Sequence, residues 1–450
     1  MATALVILAA GKGTRMKSDL PKVLHEVGSA PLLRHAIDAG SAVEPSQVVV
    51  VTGHGGDRVR EALAAFAPSA KTVEQTEQLG TAHAVLQSEA ALEGFAGDVF
   101  VLYGDTPFIT PETLHRMRAA RADGAAVVVL GFEAEEPGRY GRLILDETGA
   151  LDRIVEAKEA TPEELAVTLC NSGVVCADRD ELFSILHEVG NDNAKGEYYL
   201  TDIVEIARGR GLTCAAVSCP ESETMGCDTR IDLARAEGIF QARKRAEALE
   251  NGVTLRDPDS TYFSFDTQLS TDVTVEPHVV FLGGVKVASG ATVRAFSHLE
   301  DTTIGERASV GPHVRMRGNS VIGARSKIGN FVETKKVVLA EGVKAGHLSY
   351  LGDAEIGTGT NIGAGTITCN YDGKGKHQTH IGAGVFVGSN TALVAPVTLG
   401  DGAVTGAGST ITDDVGADEL AIARGKQSNK TGAARIMAKV RELSARKKRG

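Results

Sequence analysis

The sequence predicts an α/β protein in which a Rossmann-like domain with a mostly parallel sheet precedes a left-handed parallel β-helix. Short β-branched runs alternate with helix-like stretches in the first half of the chain, and in the second half an apolar residue followed by glycine recurs at six-residue steps. Glycine follows the same division, since 27 of the 52 glycines fall within residues 252–425 and 23 within residues 1–251. With 450 residues the chain is long enough for two or three domains, each with its own core.

The alternating elements of the first half indicate a parallel sheet that is covered by helices on both faces. The predicted strands are 4–10, 47–52, 98–103 and 125–132. The predicted helices are 31–41, 56–66, 81–91 and 110–122. The last of these helices opens with a cap residue and a proline, Thr110-Pro111. Such sheets bind ligands beyond the carboxyl ends of their strands, so the loops at that edge are the candidate site.

A glycine-rich loop follows the first strand at this edge. It reads Leu8-Ala9-Ala10-Gly11-Lys12-Gly13-Thr14-Arg15-Met16 and continues to Pro21-Lys22. Small residues let backbone N–H groups approach phosphates closely, and Lys12, Arg15 and Lys22 supply positive charge. The loop lacks the Walker A pattern, and Met16 stands where a dinucleotide fingerprint has its third glycine. The loop therefore predicts a polyphosphate site that is neither a Walker A loop nor a dinucleotide-binding turn.

A carboxylate stands at the end of the strand 98–103, in Gly104-Asp105. Parallel strands end at one edge, so we expect Asp105 to lie near the glycine loop, where it can hold Mg²⁺ against the phosphates. An aspartate after a strand is also a common turn residue. The nearby phosphate loop favours the metal interpretation.

The glycine loop and its Leu20-Pro21-Lys22 continuation resemble the sugar-1-phosphate nucleotidyltransferases. Residues 1 to about 230 are similar to the members that act as N-acetylglucosamine-1-phosphate uridyltransferases. The segments that carry this similarity are Gln75, 78–81, 103–105, 140–142, 154–158, 171–173 and 196–202. The resemblance implies that the UDP-N-acetylglucosamine site consists of Leu8, Ala9, Ala10, Gly11, Lys22, Gln75, Gly80, Thr81, Tyr103, Gly104, Asp105, Gly141, Glu156, Asn171 and Asp228.

Asp228 departs from the family pattern, which places an asparagine opposite the first metal-binding aspartate. Its carboxylate still offers an oxygen to a hard cation, so the resemblance implies an Mg²⁺ site at Asp105 and Asp228. Transfer of UMP from UTP to a sugar 1-phosphate needs no covalent nucleophile. It needs an in-line arrangement of the substrates and neutralisation of their charge.

The second half begins after a predicted connecting helix at residues 229–250, which is rich in helix formers. The repeated pairs are Ile304-Gly305, Val310-Gly311, Ile322-Gly323, Ile328-Gly329, Ile356-Gly357, Ile362-Gly363, Ile381-Gly382, Val387-Gly388 and Leu399-Gly400. A six-residue period with an inward aliphatic side chain is typical of a hexapeptide β-helix, whose coils stack into a prism.

This period fails at about 333–352 and again at 368–380. Insertions in a solenoid map to loops, often on the binding face, so we expect loops at both places. The first interruption holds Lys335 and His347. A neutral imidazole there can take a proton from an attacking amine while Arg317 and Lys335 hold a sugar phosphate. A histidine in a turn that only bonds to the backbone is the alternative.

The segments 329–336, 344–353 and 361–373 resemble the acetyltransferase half of the bifunctional N-acetylglucosamine-1-phosphate uridyltransferase/glucosamine-1-phosphate acetyltransferase family. Both halves then match in order over nearly the whole chain. The resemblance implies that His347 is the general base and that the sugar phosphate is bound by Arg317, Lys335, Tyr350 and Asn361. It implies an acetyl-CoA site formed by Ala364, Asn370, Tyr371, Ser389, Ala407 and Arg424. The family is trimeric, so we expect a homotrimer with acetyl-CoA between subunits.

Composition excludes other classes. Hydrophobic residues at 42% and charged residues at 23% argue against disorder, and we expect no membrane span because no apolar run reaches about 18 residues. The six cysteines show no C-x-x-C pairing, which predicts reduced thiols and a cytoplasmic location. The family resemblance implies small-molecule substrates. Residues 424–450 carry ten basic side chains and one acid, so the remaining residues carry −20 (−11 − 9). This acidic body leads us to expect no nucleic-acid partner. The basic tail is either a solvated helix or frayed end, or a binding segment for nucleic acid or a polyphosphate.

The expected domains are a uridyltransferase domain at 1–228, a linker helix at 229–250, the β-helix at 251–425 and a basic tail at 426–450.

Two alternative functions remain. The first is a monofunctional nucleotidyltransferase, such as the ADP-glucose pyrophosphorylase type, whose β-helix only assembles subunits. The second is a scaffold without activity. The His347 segment and the Asn370-Tyr371 loop argue against both, because a structural β-helix has no need of them. The resemblance further implies supply of peptidoglycan and lipopolysaccharide precursors.

Overall fold

The computed structural model describes residues 2–193 and 195–447. The chain forms two compact units, which we call unit 1 (Met1–Ala246 and Phe263–Phe265) and unit 2 (Glu247–Tyr262 and Asp266–Gly450). The last residues of the predicted basic tail, 448–450, lie outside the described residues.

Unit 1 is built on a nine-stranded sheet and a short hairpin. Its strands are β1 (Thr3–Ala9), β2 (Glu26–Val27), β3 (Ala30–Pro31), β4 (Gln47–Thr52), β5 (Lys71–Glu74), β6 (Asp98–Tyr103), β7 (Val127–Glu133), β8 (Arg142–Leu145), β9 (Leu151–Val155), β10 (Leu169–Asp178) and β11 (Cys214–Cys219). Its helices are α1 (Leu32–Gly40), α2 (Gly56–Phe66), α3 (Thr81–Leu86), α4 (Pro111–Ala122), α5 (Pro162–Leu165), α6 (Arg179–Leu186) and α7 (Asp202–Gly209), followed by α8 (Arg230–Glu250).

The main strand order is β11-β7-β10-β6-β1-β4-β5, and β10 is antiparallel to both of its neighbours. β1 is buried at every position and pairs in parallel with β4 and β6. Ala4, Val6 and Leu8 join one hydrophobic cluster, whereas Leu5 and Ile7 join another. Successive side chains of a strand point to opposite faces, so the continuous apolar run reflects a sheet that is covered on both sides. The predicted class is confirmed.

One predicted helix of unit 1 is shorter than expected. The sequence predicts 81–91, but α3 ends at Leu86 and a separate 3₁₀ turn covers Ala90–Leu92. The hydroxyl of Ser88 donates to the carbonyl of Val85 at 2.6 Å. Serine side chains that bond to nearby backbone groups compete with regular helical bonding, which accounts for the early end.

Unit 2 consists of short strands stacked in parallel. They are β12 (Thr254–Leu255), β13 (Gln268–Leu269), β14 (Thr274–Val275), β15 (Val280–Phe281), β16 (Lys286–Val287), β17 (Thr292–Val293), β18 (His298–Leu299), β19 (Thr302–Ile304), β20 (Ser309–Val310), β21 (Arg315–Arg317), β22 (Ser320–Ile322), β23 (Lys327–Asn330), β24 (Glu333–Leu339), β25 (Lys344–His347), β26 (Tyr350–Ile356), β27 (Asn361–Ile362), β28 (Ile367–Cys369), β29 (Thr379–Ile381), β30 (Phe386–Val387), β31 (Ala392–Val394), β32 (Val397–Leu399), β33 (Val404–Thr405), β34 (Thr410–Ile411) and β35 (Leu420–Ala421).

These strands form a ten-stranded and a fourteen-stranded sheet. The six-residue repeat becomes a ladder of buried aliphatic side chains, since register pairs join Ile304 to Ile322, then Leu339, Ile356 and Ile381 in turn. Each of them is at most 4% exposed. The apolar residue of each repeat therefore fills the interior of the stack, as the period predicts.

The expectation of a loop at 333–352 is wrong. β24, β25 and β26 keep the parallel register through this stretch. Ala345 and Leu351 are fully buried there, so alanine and leucine take the inward places that isoleucine and valine hold elsewhere. The second interruption does leave the strand pattern, between the end of β28 at Cys369 and the start of β29 at Thr379.

Helix α9 (Ala433–Lys447) ends the described chain. Ile436, Met437, Val440 and Leu443 are each more than half exposed along it. Within residues 2–193 and 195–447, no helix combines the length and apolar character required to cross a membrane. All six cysteines are free.

Candidate active sites

A cavity of about 1170 Å³ opens at the carboxyl edge of the unit 1 sheet. Its walls include every residue predicted for the UDP-N-acetylglucosamine site except Gly104 and Asp228. These lining residues are Leu8, Ala9, Ala10, Gly11, Lys22, Gln75, Gly80, Thr81, Tyr103, Asp105, Gly141, Glu156 and Asn171. Gly104 joins β6 to the glycine loop instead, because its N–H donates to the carbonyl of Leu8 at 3.0 Å.

The glycine loop after β1 is held open by its backbone conformation. Gly13 has φ +57°, and a Cβ there would lie 2.7 Å from the Cβ of Lys22. The amide of Gln78 donates to the carbonyl of Ala10 at 2.7 Å from the opposite wall. Glycine at position 13 therefore lets the loop pack closely against Lys22, which lines the cavity.

The wall formed by Gln75, Gly80 and Thr81 is fixed by the segment that precedes α7. The Leu200 N–H donates to the Thr81 hydroxyl at 2.9 Å, and the Gln75 amide donates to the carbonyl of Gly80 at 3.0 Å. Gly80 has φ +109°, and a Cβ there would lie 2.4 Å from the carbonyl oxygen of Tyr198. Only glycine fits this position.

Gly141, Glu156 and Asn171 converge at another part of the cavity wall. A Cβ at Gly141 would lie 3.6 Å from the Glu156 carboxylate and 3.7 Å from the Asn171 side chain. Burial, and then the nearby Glu159, raise the pKa of Glu156. Burial also raises the pKa of Tyr103 well above its usual value.

Sequence reasoning missed Arg142, which orders the loop 137–141. Its side chain is 2% exposed, and its guanidinium donates to the carbonyls of Gly138, at 3.2 Å, and of Tyr140. Gly138, Tyr140 and Gly141 all line the cavity. A basic residue directly after Tyr140-Gly141 was visible in the sequence, but nothing indicated that its side chain turns inward. Lys195 also lines the cavity and was missed.

Two carboxylates and two cations meet beside the glycine loop. Lys22 Nζ donates to Asp105 Oδ2, and to Asp228 Oδ1 at 3.0 Å. Arg15 Nη2 lies 2.9 Å from the same oxygen of Asp228. Burial by itself lowers the pKa of Lys22, but the two aspartates outweigh it and raise this pKa above the ordinary value. The structure thus brings Asp228 to Asp105 across 123 residues of chain.

The carboxylates of Asp105 and Asp228 suit a hard divalent cation. Mg²⁺ typically binds through one or two carboxylates, with substrate phosphates and waters completing its coordination. Among residues 2–193 and 195–447, no group of three or more histidine, cysteine, aspartate or glutamate side chains could hold a metal on its own. A metal here would need oxygen ligands from the substrate, which matches the adjacent phosphate loop.

In unit 2, His347 ends β25 and its imidazole is exposed. Its Nδ1 lies 2.7 Å from the side-chain oxygen of Asn330, a residue that sequence reasoning did not select. Asn330 ends β23, which pairs with β25. The imidazole is therefore held by a side chain rather than by the backbone, which disfavours the alternative of a purely structural turn histidine.

Arg317 and Lys335 lie side by side in the register of β21 and β24. The Arg317 guanidinium is paired with Glu333, at 2.7 Å from Nη2 and 3.1 Å from Nε. Glu333 faces Tyr350 in the next pair of strands. The predicted sugar-phosphate residues Arg317, Lys335 and Tyr350 thus occupy neighbouring strands, and Asn361 pairs with Lys344 on the strand of His347.

The loop between β28 and β29 is organised by its own polar groups. The Asn370 amide donates to Asp353, and the Tyr371 hydroxyl donates to the carbonyl of Gly373 at 2.8 Å. Backbone N–H groups of Gly375 and Lys374 and the side chain of His377 lower the pKa of Asp372. The Tyr371 ring is 57% exposed, with Lys376 Nζ 4.5 Å from its centroid.

Ala364, Ser389 and Ala407 occupy matching places in successive coils. The Asn390 N–H donates to the carbonyl of Ala364 at 2.7 Å, and the Gly408 N–H donates to that of Ser389 at 2.8 Å. Arg424 joins the same row, because its guanidinium donates to the carbonyl of Ala407 at 2.7 Å. These four predicted acetyl-CoA residues therefore form one continuous edge.

Comparisons with known families agree with this division of the chain. Residues 5–171 match the family model of the MobA-like NTP transferase domain, and residues 378–413 match the bacterial transferase hexapeptide (six repeats). Together with the two sites described above, these matches define a protein that joins a nucleotidyltransferase to a hexapeptide-repeat transferase.

Curated relatives extend the match to the whole chain. The chain is 57% identical to the bifunctional protein GlmU of Jannaschia sp. (strain CCS1), over 96% of this chain and 94% of the relative. It is 56% identical to that of Ruegeria sp. (strain TM1040) over the full length of both. It is 57% identical to that of Cereibacter sphaeroides (strain ATCC 17025 / ATH 2.4.3), over 99% of this chain and 98% of the relative. The chain belongs to the bifunctional GlmU family.

The chain is accordingly a transferase with two activities in UDP-N-acetylglucosamine synthesis, as a uridyltransferase and as a glucosamine-1-phosphate acetyltransferase. Membership in this family confirms the function predicted from the sequence and excludes both the monofunctional and the scaffold alternatives. It also implies a divalent metal for the nucleotidyl transfer.

Proposed function

We propose that the cavity of unit 1 is the uridyltransferase site and that the His347 edge of unit 2 is the acetyltransferase site. The observation that carries this assignment is the convergence of thirteen of the fifteen predicted nucleotide-sugar residues on one cavity. In unit 2, the register of the coils brings the predicted sugar-phosphate residues to adjacent strands.

In unit 1, the uracil nucleotide lies against Leu8–Gly11, Gln75, Gly80 and Thr81, and the amino sugar lies against Gly141, Glu156 and Asn171. Lys22 and Arg15 neutralise the triphosphate. The phosphate oxygen of N-acetylglucosamine-1-phosphate attacks the α-phosphorus of UTP in line, and pyrophosphate leaves. The protein supplies position and charge, so no covalent intermediate is required.

Mg²⁺ is the proposed metal, held by Asp105 and Asp228. When bound it neutralises charge on the reacting phosphates. Lys22 Nζ donates to both carboxylates, so its positive charge would lie beside the metal and the reacting phosphates.

In unit 2, His347 accepts a proton from the 2-amine of glucosamine-1-phosphate through Nε2. The amine nitrogen forms a bond to the thioester carbonyl carbon of acetyl-CoA, the carbon–sulfur bond breaks, and the CoA thiolate takes up a proton. Arg317, Lys335, Tyr350 and Asn361 hold the sugar phosphate. Cys369 is not used, because the amine attacks the thioester directly.

Acetyl-CoA lies along Ala364, Asn370, Tyr371, Ser389, Ala407 and Arg424. A homotrimer places this edge beside a neighbouring subunit. Support for a contact between copies comes from an exposed row of stacked rings, His278, Phe296, His313 and Phe331, with centroids 4.8–5.2 Å apart. Phe296 and Phe331 are each more than half exposed, which is unusual for a solvated surface.

The six free cysteines suit a cytoplasmic enzyme.

A single coupled assay tests the proposal. The chain is supplied with glucosamine-1-phosphate, acetyl-CoA, UTP and Mg²⁺, and free thiol and pyrophosphate are followed together. We expect both products, with pyrophosphate dependent on acetyl-CoA and abolished by a chelator. The assignment of unit 1 would be contradicted if thiol is released without pyrophosphate and if N-acetylglucosamine-1-phosphate, supplied directly, also yields no pyrophosphate.

A further inference from the structure

Asn330 lies directly beside His347 in the stack of coils. The parallel register of β23 and β25 sets these two residues opposite each other, and Asn330 Oδ1 lies 2.7 Å from His347 Nδ1. This contact joins the general base proposed above to a residue that has no role in that proposal. It is short enough for a strong hydrogen bond.

The backbone on both sides of this contact is fixed. The Leu348 N–H donates to the carbonyl of Asn330 at 3.0 Å, and the Ser349 hydroxyl donates to the carbonyl of His347 at 2.9 Å. A Cβ at Gly329 would lie only 1.9 Å from the carbonyl oxygen of Gly346. Glycine at this position lets the two coils approach closely enough for the amide to reach the imidazole.

The chemistry of the two side chains determines which of them donates the hydrogen bond. An amide oxygen only accepts hydrogen bonds, so the proton of the neutral imidazole must sit on Nδ1. The lone pair is then on Nε2, the nitrogen that takes the proton of the amine. We propose that Asn330 is a positioning residue of the acetyltransferase, which selects the reactive tautomer of His347 and fixes the plane of its ring. This inference rests on the proposed role of His347.

Asn330 is also neutral, which matters for a base that must give its proton away again. The charged residues on the two strands are Lys327 and Lys344, which lie opposite each other in the strand register and are exposed. A carboxylate in place of Asn330 would stabilise the imidazolium and retain the proton at higher pH. The amide orients the ring without this electrostatic stabilisation.

The first test is Asn330→Ala. We expect kcat for acetyl transfer to fall about 10- to 100-fold, because the ring loses its orientation, with KM for both substrates changed less than about twofold. Uridyl transfer by the same preparation is the control for the enzyme concentration and for the folding of unit 1. A wild-type kcat for acetyl transfer would overturn the proposal, and so would a loss that appears only in KM.

The second test, Asn330→Asp, separates orientation from a merely structural role. Aspartate keeps the shape and the accepting oxygen, so we expect measurable activity, with the acidic limb of the pH profile of kcat/KM moved upward by about one pH unit or more. An acidic limb at the wild-type pH would contradict a direct contact. This variant also keeps the proposal testable where Asn330→Ala fails to fold.

The third measurement determines the tautomer of His347 directly, without an activity assay. Nitrogen chemical shifts of His347 in the full chain should show the proton on Nδ1, and the Asn330→Ala variant should show a mixture dominated by the other tautomer, which is the more common one in free imidazole side chains. Wild-type protein with the proton on Nε2 would overturn the proposal. His347→Ala with undiminished acetyl transfer would instead refute the base itself, so the two failures are distinguishable.

Discussion

The two candidate sites are built in different ways. In unit 1, loops from distant parts of the chain surround a cavity, and Asp228 reaches Asp105 across a long sequence distance. In unit 2, strand register brings residues of adjacent coils together, since the side chains of Asn330 and His347 are in contact and Arg317 lies opposite Lys335. Loops of an α/β sheet can each be rearranged separately, whereas a change in one coil of the stack displaces its neighbours.

Glycine serves these two arrangements differently. Gly80 and Gly173 have positive φ and bring the backbone against the cavity wall, where a Cβ would collide with Tyr198 or with the ring of Tyr103. Gly329 has no such conformation and instead lets one coil approach the next. Substitutions at these glycines should therefore separate the two activities.

The largest effect is expected from His347→Ala. Removal of the proposed general base should lower acetyl transfer by about 10²- to 10⁴-fold. Uridyl transfer from supplied N-acetylglucosamine-1-phosphate should stay within about twofold of wild type, because His347 lies in unit 2. The two rates are measured on one preparation. A parallel loss of both would show that the sites are not independent.

The next effect is expected from Gly80→Ala. The positive φ and the clash with the Tyr198 carbonyl should displace the wall that carries Gln75 and Thr81, so uridyl transfer should fall about 10- to 100-fold with acetyl transfer unchanged. Gly94→Ala is the matched control, since Gly94 also has positive φ but nothing lies near its missing Cβ. Equal losses in the two variants would rule out the clash as the cause.

A smaller effect is expected from Arg142→Lys. Lysine keeps the positive charge but loses the fork that donates to two carbonyls of the loop 137–141. KM for N-acetylglucosamine-1-phosphate should rise about tenfold while KM for UTP changes little. The exposed Arg153→Lys serves as the control. An equal rise in both KM values would mean that Arg142 supports the whole unit rather than this loop.

The smallest effect is expected from Asp228→Ala. In the proposed site Asp105 and the substrate phosphates would still hold the metal, so the Mg²⁺ concentration for half-maximal uridyl transfer should rise by about three- to tenfold. Acetyl transfer should not respond to Mg²⁺ in either protein. An unchanged Mg²⁺ titration would remove Asp228 from the metal site.

The sequence predicts the framework of both units because local patterns determine it. The β-branched run of β1 and the six-residue period each indicate one packing arrangement. It does not predict the continuous register at 333–352, because alanine and leucine at Ala345 and Leu351 do not match the isoleucine–glycine pattern. The structural roles of Arg142 and Asn330 were also missed, since only tertiary structure shows that one side chain turns inward and that the other lies opposite a histidine.

Mixing two variants shows whether the chain has two separate active sites. His347→Ala alone should make no UDP-N-acetylglucosamine from glucosamine-1-phosphate, acetyl-CoA and UTP. Asp105→Ala, which lacks a proposed metal ligand, should make none either. A mixture of the two should restore the product, because one variant makes the acetylated intermediate and the other consumes it. If each variant keeps its remaining half-reaction but the mixture makes no product, the assignment of two independent sites is contradicted.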